Sequence, residues 1–373
     1  MMRLLVAVLL LSGCGGVTAE NSGDGAENPD EGATIVMNWE RVVGPYSRLF
    51  RSSTTDDDLV CAINARGEAF ILNSETGGDE FPSFIMFDVG GVVTGGAGCG
   101  NGVIAAVRED GLLRVHDFSG DALWEAALQT RVTSPPLVSD GSVVVMGHDG
   151  RISAYSARLG ELLWRYVSPL KNLLRTPLDS SPVSSGSVIY AGIDNGVIVA
   201  LRRDNGRVSW NKRIASARSS HSFANILDVT TPVIRGNVVC AAAYQGHVGC
   251  MNTNRGTILW RMPFSSATRV AIGDSRLFAA DLDGNISAFS LKDGELLWNK
   301  ELGDATSVAM TDGALFVGLN SGLLTVSPET GDTLTSINTN GGVTYLSPFG
   351  ENEVLGSTIS GGVFRASFIN KTN

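Results

Sequence analysis

The chain has 373 residues, a formal net charge of −10 at pH 7 and a hydrophobic fraction of 43%. This acidic balance argues against nucleic acid or an anionic membrane surface as the main partner, because both would repel the chain. Apart from the first residues, no apolar run is long and unbroken enough to predict a membrane-spanning helix.

Residues 1–13 have the pattern of a targeting segment. One cation, Arg3, precedes an apolar run over 4–11 that is too short to span a bilayer as a helix. The run ends in LSGC, which resembles the lipobox of bacterial lipoproteins. The resemblance implies that residues 1–13 are a cleaved signal peptide and that Cys14 becomes an acylated N-terminus, carrying chains such as palmitate. Gly15, in place of an aspartate, implies sorting to the outer membrane. The alternative is an ordinary cleaved signal with a chance cysteine.

Residues 14–33 follow as a tether. The stretch 15–33 carries five acidic residues, no basic residue and almost no bulky apolar side chain. Such a segment cannot bury enough surface to fold, so we expect a flexible acidic link between the lipidated Cys14 and the folded part.

The folded part, residues 34–370, is built from a repeat of about 40 residues. Its clearest copy is 283–298, DGNISAFSLKDGELLW, with two glycine turns and a strand that reaches a tryptophan. The first turn glycine recurs at Gly67, Gly111, Gly150, Gly196, Gly246, Gly284, Gly322 and Gly362. The second recurs at Gly77, Gly120, Gly160, Gly206, Gly256, Gly294 and Gly331, and the bulky residue after it at Phe81, Trp124, Trp164, Trp210, Trp260 and Trp298. Short strands at this period are typical of a β-propeller.

We therefore predict an all-β fold, an eight-bladed β-propeller of four-stranded antiparallel blades. The last repeat, around Gly362, lacks a closing strand, and an unmatched strand-like segment bearing Trp39 precedes the first complete repeat. We expect this N-terminal strand to pair in the last blade, because that pairing closes the ring and removes exposed edges.

The tryptophans occupy one equivalent position in their repeats, which favours a packing role over ligand stacking. They are predicted to be inter-blade wedges: Trp39, Trp124, Trp164, Trp210, Trp260 and Trp298.

Two consecutive connections between blades, 167–181 and 214–231, are longer than the others. In an up-and-down blade, such connections lie on the same face of the disc, so the two should be neighbours. Long loops on a rigid scaffold are frequent binding sites, although neutral loop growth is an alternative.

Catalytic signatures are missing from the sequence. The four histidines fall in different repeats without metal-ligand spacing, and neither a nucleophile elbow nor a phosphate-binding glycine motif occurs. An acidic run over 56–58 could suggest calcium, but a solvated loop explains it better. The sequence therefore predicts no enzyme activity, catalytic residue, metal site or cofactor.

Four cysteines follow Cys14: Cys61, Cys99, Cys240 and Cys250. An exported protein can form disulfides. A two-residue turn at Gly246 would pair Cys240 with Met251 and send the two sulfurs to opposite faces of the sheet, so we expect free, buried thiols.

The DGELLW pattern resembles the repeat of quinoprotein alcohol dehydrogenases, whose active site uses pyrroloquinoline quinone, calcium and commonly adjacent cysteines. No adjacent cysteines occur here. A fuller resemblance links the lipobox, the eight repeats, 227–233 (LDVTTPV) and 256–260 (GTILW) to the BamB family. These are lipid-anchored, eight-bladed subunits of the outer-membrane β-barrel assembly (BAM) complex.

In the BamB family, a Leu-x-Leu-Arg stretch and a nearby aspartate pair contact the POTRA domains of BamA, the barrel-forming subunit. Here Leu174 and Arg175 match the end of that stretch, while Asn172 stands at its first leucine; Asp228 matches one aspartate. The resemblance implies that Leu173 and Leu174 form an apolar anchor and that Arg175 and Asp228 make charge-assisted bonds to the partner. Alternatively, Arg175 and Asp228 pair with each other and brace the loops.

The leading hypothesis is a non-catalytic scaffold lipoprotein on the periplasmic face of the outer membrane. It would bind BamA and other BAM subunits and aid the folding and insertion of outer-membrane proteins. Whether its blades also hold unfolded client strands stays open. The alternatives are a quinoprotein-like enzyme dependent on pyrroloquinoline quinone and a propeller that binds an envelope polysaccharide.

Overall fold

Short segments rich in valine, isoleucine and small residues alternate with glycine turns along the chain, and these segments form β-strands. In the computed structural model, the described residues are 32–44, 48–51, 59–78, 84–132, 134–169, 180–193, 196–215, 227–266 and 268–370. Residues 1–31, which include Cys14 and the predicted signal and most of the tether, lie outside them. No helix of the described residues has the length and apolar character needed to span a membrane.

The first strands in chain order are β1 (Ala33–Val42), β2 (Arg48–Arg51), β3 (Leu59–Ile63), β4 (Glu68–Asn73), β5 (Phe84–Asp88), β6 (Val93–Gly100), β7 (Val103–Arg108), β8 (Leu112–Asp117), β9 (Ala122–Ala127), β10 (Leu137–Ser139), β11 (Ser142–Met146), β12 (Arg151–Ser156), β13 (Leu162–Val167), β14 (Val183–Ser185), β15 (Val188–Ile193) and β16 (Val197–Arg202). The remaining strands are β17 (Val208–Arg213), β18 (Val233–Arg235), β19 (Val238–Ala242), β20 (His247–Asn252), β21 (Ile258–Pro263), β22 (Ala271–Ile272), β23 (Arg276–Ala280), β24 (Ile286–Ser290), β25 (Leu296–Lys300), β26 (Ala305–Met310), β27 (Leu315–Leu319), β28 (Gly322–Val326), β29 (Thr333–Asn338), β30 (Val343–Pro348), β31 (Glu353–Thr358) and β32 (Gly362–Asn370).

These strands form eight four-stranded antiparallel sheets, each a blade of the propeller. Blades 1 to 7 each contain four consecutive strands, from β2–β5 to β26–β29. Blade 8 has the order β1-β32-β31-β30, so the first strand of the chain is its outer strand. The predicted fold class is confirmed, including the number of blades.

The ring closes through β1, as predicted. This strand pairs antiparallel with β32 from Ala33 opposite Asn370 to Val42 opposite Gly362. The pairing extends along almost the whole of both strands, with one shift of register between Met37 and Trp39, so closure joins both ends of the folded chain through backbone pairing. Such a closed ring leaves no open junction between the first and last blades.

The apolar core is divided among the junctions between neighbouring blades. Each cluster of buried side chains draws on two adjacent blades; for example, Val115 of blade 2 packs with Val143 of blade 3. The junction of blades 8 and 1 has its own cluster, which contains Trp39, Phe70 and Leu355. Because every blade buries both faces against its neighbours, the middle strands are apolar throughout rather than alternating.

The prediction of free thiols was wrong, because both cysteine pairs form disulfides. Cys240 lies directly opposite Cys250 in the β19–β20 hairpin, with 4.1 Å between their Cα atoms. The hairpin places three residues, 244–246, between Ala243 and His247, instead of the two assumed, so the register shifts by one and both sulfurs lie on the same face. Cys61 of blade 1 is bonded to Cys99 of blade 2.

Candidate functional site: the blade junctions and the long-loop face

The tryptophans lie at the junctions between blades, each against a turn glycine of the following blade. A methyl group at Gly160 would lie 2.7 Å from Cδ2 of Trp124, and one at Gly77 would lie 2.7 Å from Cδ2 of Trp39. The same arrangement joins Trp164 to Gly206, Trp210 to Gly256, Trp260 to Gly294 and Trp298 to Gly331. The glycine at this turn therefore leaves the space that an indole from the previous blade fills.

Each indole N–H also donates a hydrogen bond to a backbone carbonyl of the following blade. The acceptors are Ser74 for Trp39, Ala157 for Trp124, Arg203 for Trp164, Thr253 for Trp210, Leu291 for Trp260 and Pro328 for Trp298. The donor–acceptor distances lie between 2.6 Å for Trp164 and 3.1 Å for Trp298. At each of these six junctions, one tryptophan thus supplies both apolar burial and a hydrogen bond to the next blade.

The junction of blades 1 and 2 contains Phe87 of β5. Its side chain packs on Gly120, and its ring stacks on His116 with 5.2 Å between the centroids. Phe81, which the spacing indicates, lies outside the described residues. His116 is buried, and its Nδ1 lies 3.1 Å from the carbonyl oxygen of Gly120. Sequence reasoning missed Phe87 because it lies outside the repeat position four residues after the second turn glycine.

The two long connections re-enter the blades side by side. We call their described ends, 167–169 and 180–181 of the first and 214–215 and 227–231 of the second, the long-loop face. The backbone N–H of Ser181 donates to the hydroxyl of Thr231 at 2.9 Å. The hydroxyl of Ser180 donates to the carbonyl of Gly192 at 2.8 Å, which fixes the end of the first connection to blade 4. The expected adjacency of the two loops therefore holds at their ends.

The second connection leaves and returns at almost the same point. Ala215 and Leu227 pack together in one buried cluster with Ala243 of blade 5. Gly196 binds both ends, since its N–H donates to Leu227 and its carbonyl accepts from Ile214. Residues 216–226 thus connect two anchored points on a rigid scaffold.

Among the predicted docking residues, only Asp228 is described; Leu173, Leu174 and Arg175 lie outside the described residues. Asp228 is 6% exposed, and its carbonyl accepts the N–H of Tyr244 at 3.0 Å. The next residue, Val229, forms a β-bridge with Ala243. Asp228 is therefore a buried part of the long-loop face rather than an exposed carboxylate.

The part of the chain that the structure describes contains no group of three or more His, Cys, Asp or Glu side chains that could hold a metal ion. The acidic run at 56–58 lies outside this part. His116 and the Cys61–Cys99 bond lie at the junction of blades 1 and 2, whereas Asp228 lies beside blade 5, which contains the Cys240–Cys250 bond.

The sequence model of the family described as outer membrane protein assembly factor BamB matches residues 78–300 and 253–353. The chain belongs to the BamB family. The resemblance noted in the sequence is thereby confirmed over most of the chain.

Two curated BamB relatives illustrate the similarity. The protein from Burkholderia pseudomallei (strain K96243) is 30% identical over 244 residues, which cover 65% of this chain and 63% of that protein. The protein from Bordetella pertussis is 29% identical over 286 residues, covering 74% of this chain and 72% of that one. The match to the Burkholderia BamB thus spans less than two thirds of its length.

Solved structures share the fold. BamB from Moraxella catarrhalis superposes with a TM-score of 0.80 at 20% identity, covering 90% of this chain and all of that one. A quinohemoprotein alcohol dehydrogenase from Comamonas testosteroni superposes with a TM-score of 0.67 at 13% identity, covering 89% and 76%. At these identities the likeness extends to the propeller and not to any activity.

Proposed function

We propose that this protein is a non-catalytic scaffold of the outer-membrane β-barrel assembly machinery that aids the folding and insertion of outer-membrane proteins. The observation that carries the proposal is the match of the BamB family model to residues 78–300 and 253–353. A closed ring of eight blades, with an indole or a phenyl ring packed on a turn glycine at seven of the described junctions, suits a scaffold because it presents loops on a rigid frame.

The proposed docking surface is the long-loop face, and the proposed partner is BamA through its POTRA domains. The hydrogen bond between Ser181 and Thr231 supports this choice because it holds the described ends of the two connections together. Arg175, with Leu173 and Leu174, would supply the direct contact. Asp228 is buried, so its part in docking would be to position the loops. Other subunits of the machinery are further partners under this proposal.

The proposed location is the periplasmic face of the outer membrane, with acylated Cys14 as the anchor. The two disulfides support export, since disulfides persist in oxidising compartments such as the bacterial periplasm. Two or three acyl chains on one residue give stable anchoring, whereas a single chain binds only marginally.

The positions and disulfide pairing of the cysteines support the proposal of a non-catalytic role. The quinoprotein dehydrogenases that share the repeat commonly use adjacent cysteines; none are adjacent here, and all four in the propeller are paired with distant residues. Dye reduction by the purified protein with pyrroloquinoline quinone, calcium and a range of alcohols would establish the enzymatic alternative.

Co-purification from membranes tests the docking surface. We expect the tagged, membrane-anchored protein to recover BamA, and Arg175→Glu to reduce that recovery at least about fivefold, because charge reversal at an interface commonly costs 1–3 kcal/mol or more. The matched control is Arg207→Glu, an exposed charge reversal on the turn between β16 and β17, on the opposite face of the disc.

The variant Asp228→Asn tests whether Asp228 contacts the partner or only holds the loops in position. The variant keeps the shape of the buried side chain and removes its charge, so unfolding curves should show whether the loops remain anchored. Equal BamA recovery by the native protein and Arg175→Glu would refute the docking surface, while failure of the native protein to recover BamA would refute the scaffold function.

A further inference from the structure

A cavity of about 300 Å³ lies against the axis of the ring, between the inner strands of blades 4 to 8. Its wall is mostly apolar, with side chains from β14, β18, β22, β26 and β30. Representative lining residues are Val233, Ile272, Val308, Met310 and Leu346. The volume corresponds to about ten water molecules in liquid water and falls at the lower end of small-molecule sites.

One cation, Arg269, lines this apolar cavity. Arg269 precedes β22 in blade 6, and its Nη1 donates to the hydroxyl of Tyr345 in blade 8 at 3.4 Å, a long hydrogen bond. Its Nε is buried without a hydrogen-bond partner. Within the part of the chain that the structure describes, this guanidinium has no carboxylate partner.

Arg269 therefore differs from Arg235, an inner-strand arginine whose side chain the structure describes. Arg235, at the end of β18, is paired with Asp274. A guanidinium has five N–H donors, and a cation at an apolar wall is costly unless an anion or hydrogen-bond acceptors compensate it. The cavity is thus complementary to one negative charge carried on an apolar body.

We propose that the axial cavity binds a small amphiphilic monocarboxylate, with its carboxylate on Arg269 and its hydrocarbon part against Val308, Met310 and Leu346. A carboxylate accepts two parallel hydrogen bonds from a guanidinium, which gives both strength and orientation. A polyanion is disfavoured because its additional charges would face apolar side chains. The volume limits the ligand to about ten non-hydrogen atoms.

The residues that line the cavity are not those of the long-loop face, although Pro232 directly follows Thr231 of that face. Pro232, Arg269 and Val270 precede the inner strands of blades 5 and 6, whereas the lining residues of blades 7 and 8 end their inner strands, such as 308–310 before the turn at 311–313. These turns lie on the face of the disc opposite the long connections. Because the cavity and the long-loop face use different residues, ligand binding and BamA recovery can be measured as separate properties.

Calorimetric titration of the full-length exported protein with octanoate tests the proposal. We expect one molecule to bind per chain, with 1-octanol binding at least about tenfold more weakly, because the alcohol keeps the apolar body and lacks the charge. Citrate, which carries several charges, should not bind. A native protein that does not bind octanoate, or that binds 1-octanol equally well, would overturn the proposal.

Variants locate the site. Arg269→Met should weaken octanoate binding at least about tenfold, and Arg269→Lys should retain part of the affinity by keeping the charge. The matched control is Arg235→Met, which removes a paired arginine outside the cavity and should bind octanoate as the native protein does. Ser347→Phe should abolish binding by filling the cavity, which keeps the test decisive if Arg269→Met does not fold. Undiminished binding by Arg269→Met or Ser347→Phe would place the ligand elsewhere.

Discussion

The indole N–H of Trp39 donates to the backbone carbonyl of Ser74 at 2.8 Å, and this bond joins the last blade to the first. The same carbonyl accepts a second hydrogen bond, from Arg365 of β32 at 3.0 Å. Strands from the two ends of the chain therefore converge on one oxygen of blade 1. The junction that closes the ring is built like the other tryptophan junctions, although its partners are far apart in sequence.

Trp39→Ala should destabilise the propeller by about 3–5 kcal/mol, because it removes a buried aromatic side chain and leaves a cavity at the closing junction. Trp39 is 6% exposed and packs with Val60, Phe70 and Leu355. Urea unfolding followed by tryptophan fluorescence and circular dichroism would measure the change. Leu159→Ala, at a side chain that is 71% exposed, is the control and should shift stability by less than about 0.5 kcal/mol. Equal effects of the two substitutions would contradict this account of closure.

Two glycines of blade 3 separate packing from backbone strain. Gly160 has φ +71° and would place a methyl group 2.7 Å from Trp124, whereas Gly141 has φ +73° with nothing within 4 Å of that position. Gly141→Ala should lower the free energy of unfolding by about 1–2 kcal/mol, because the alanine must adopt the left-handed conformation and meets no other atom. Gly160→Ala should lower the free energy of unfolding by about 1–3 kcal/mol more than Gly141→Ala does, because the indole of Trp124 must also move. Unfolding midpoints of the two variants would give the difference directly, and equal midpoints would show that the indole adapts freely.

The repeat pattern predicted the propeller well because each blade obeys one packing rule. Gly160 and Trp164 lie in the same repeat, and their spacing shows that a repeat exists. It does not show that Gly160 contacts Trp124 of the previous blade, since contacts between blades are set by the ring and not by local spacing. Phe87 was missed for a similar reason: its packing on Gly120 depends on blade 2.

The cysteines show where local reasoning was too coarse. A change of one residue in a hairpin loop reverses the face on which every later side chain lies. Cys240 and Cys250 face each other because residues 244–246 form a three-residue loop, and the glycine alone does not distinguish this loop from a two-residue turn. The Cys61–Cys99 bond crosses a blade junction, so no pairing within one hairpin could reveal it.

Arg269 likewise lines the axial cavity only because five inner strands converge there.

The disulfide between blades should stabilise the protein more than the one within a hairpin. Cys61 and Cys99 are separated by 38 residues, and Cys240 and Cys250 by 10. Loop-closure entropy then gives about 4 kcal/mol for the first bond and about 3 kcal/mol for the second. Replacing each pair by alanine and measuring unfolding in urea would test the order. A larger loss from the Cys240 and Cys250 pair would show that strain or packing outweighs chain entropy.

A half-buried carboxyl on the closing strand, Glu40, makes the stability of the ring depend on pH. Burial raises the pKa of the Glu40 carboxyl above its ordinary value of 4.5. Its Oε1 is buried without a hydrogen-bond partner among the described residues. The folded protein therefore holds the Glu40 proton more tightly than the unfolded chain does, so this group lowers stability as pH rises above 4.5 and has no such effect well below it.

Glu40→Gln should consequently raise the unfolding midpoint at pH 7, and the gain should disappear as pH falls below the ordinary carboxyl value of 4.5. An amide suits this position, since Asn299 of β25 occupies the equivalent place in blade 6 and donates to the hydroxyl of Ser287 at 2.9 Å. Thermal unfolding of both proteins between pH 4 and pH 8 would measure the difference. The control, Glu301→Gln, removes an exposed carboxyl and should leave the midpoint unchanged across this range. A gain for Glu40→Gln that stays constant with pH would mean that shape or hydrogen bonding, and not ionisation, is responsible.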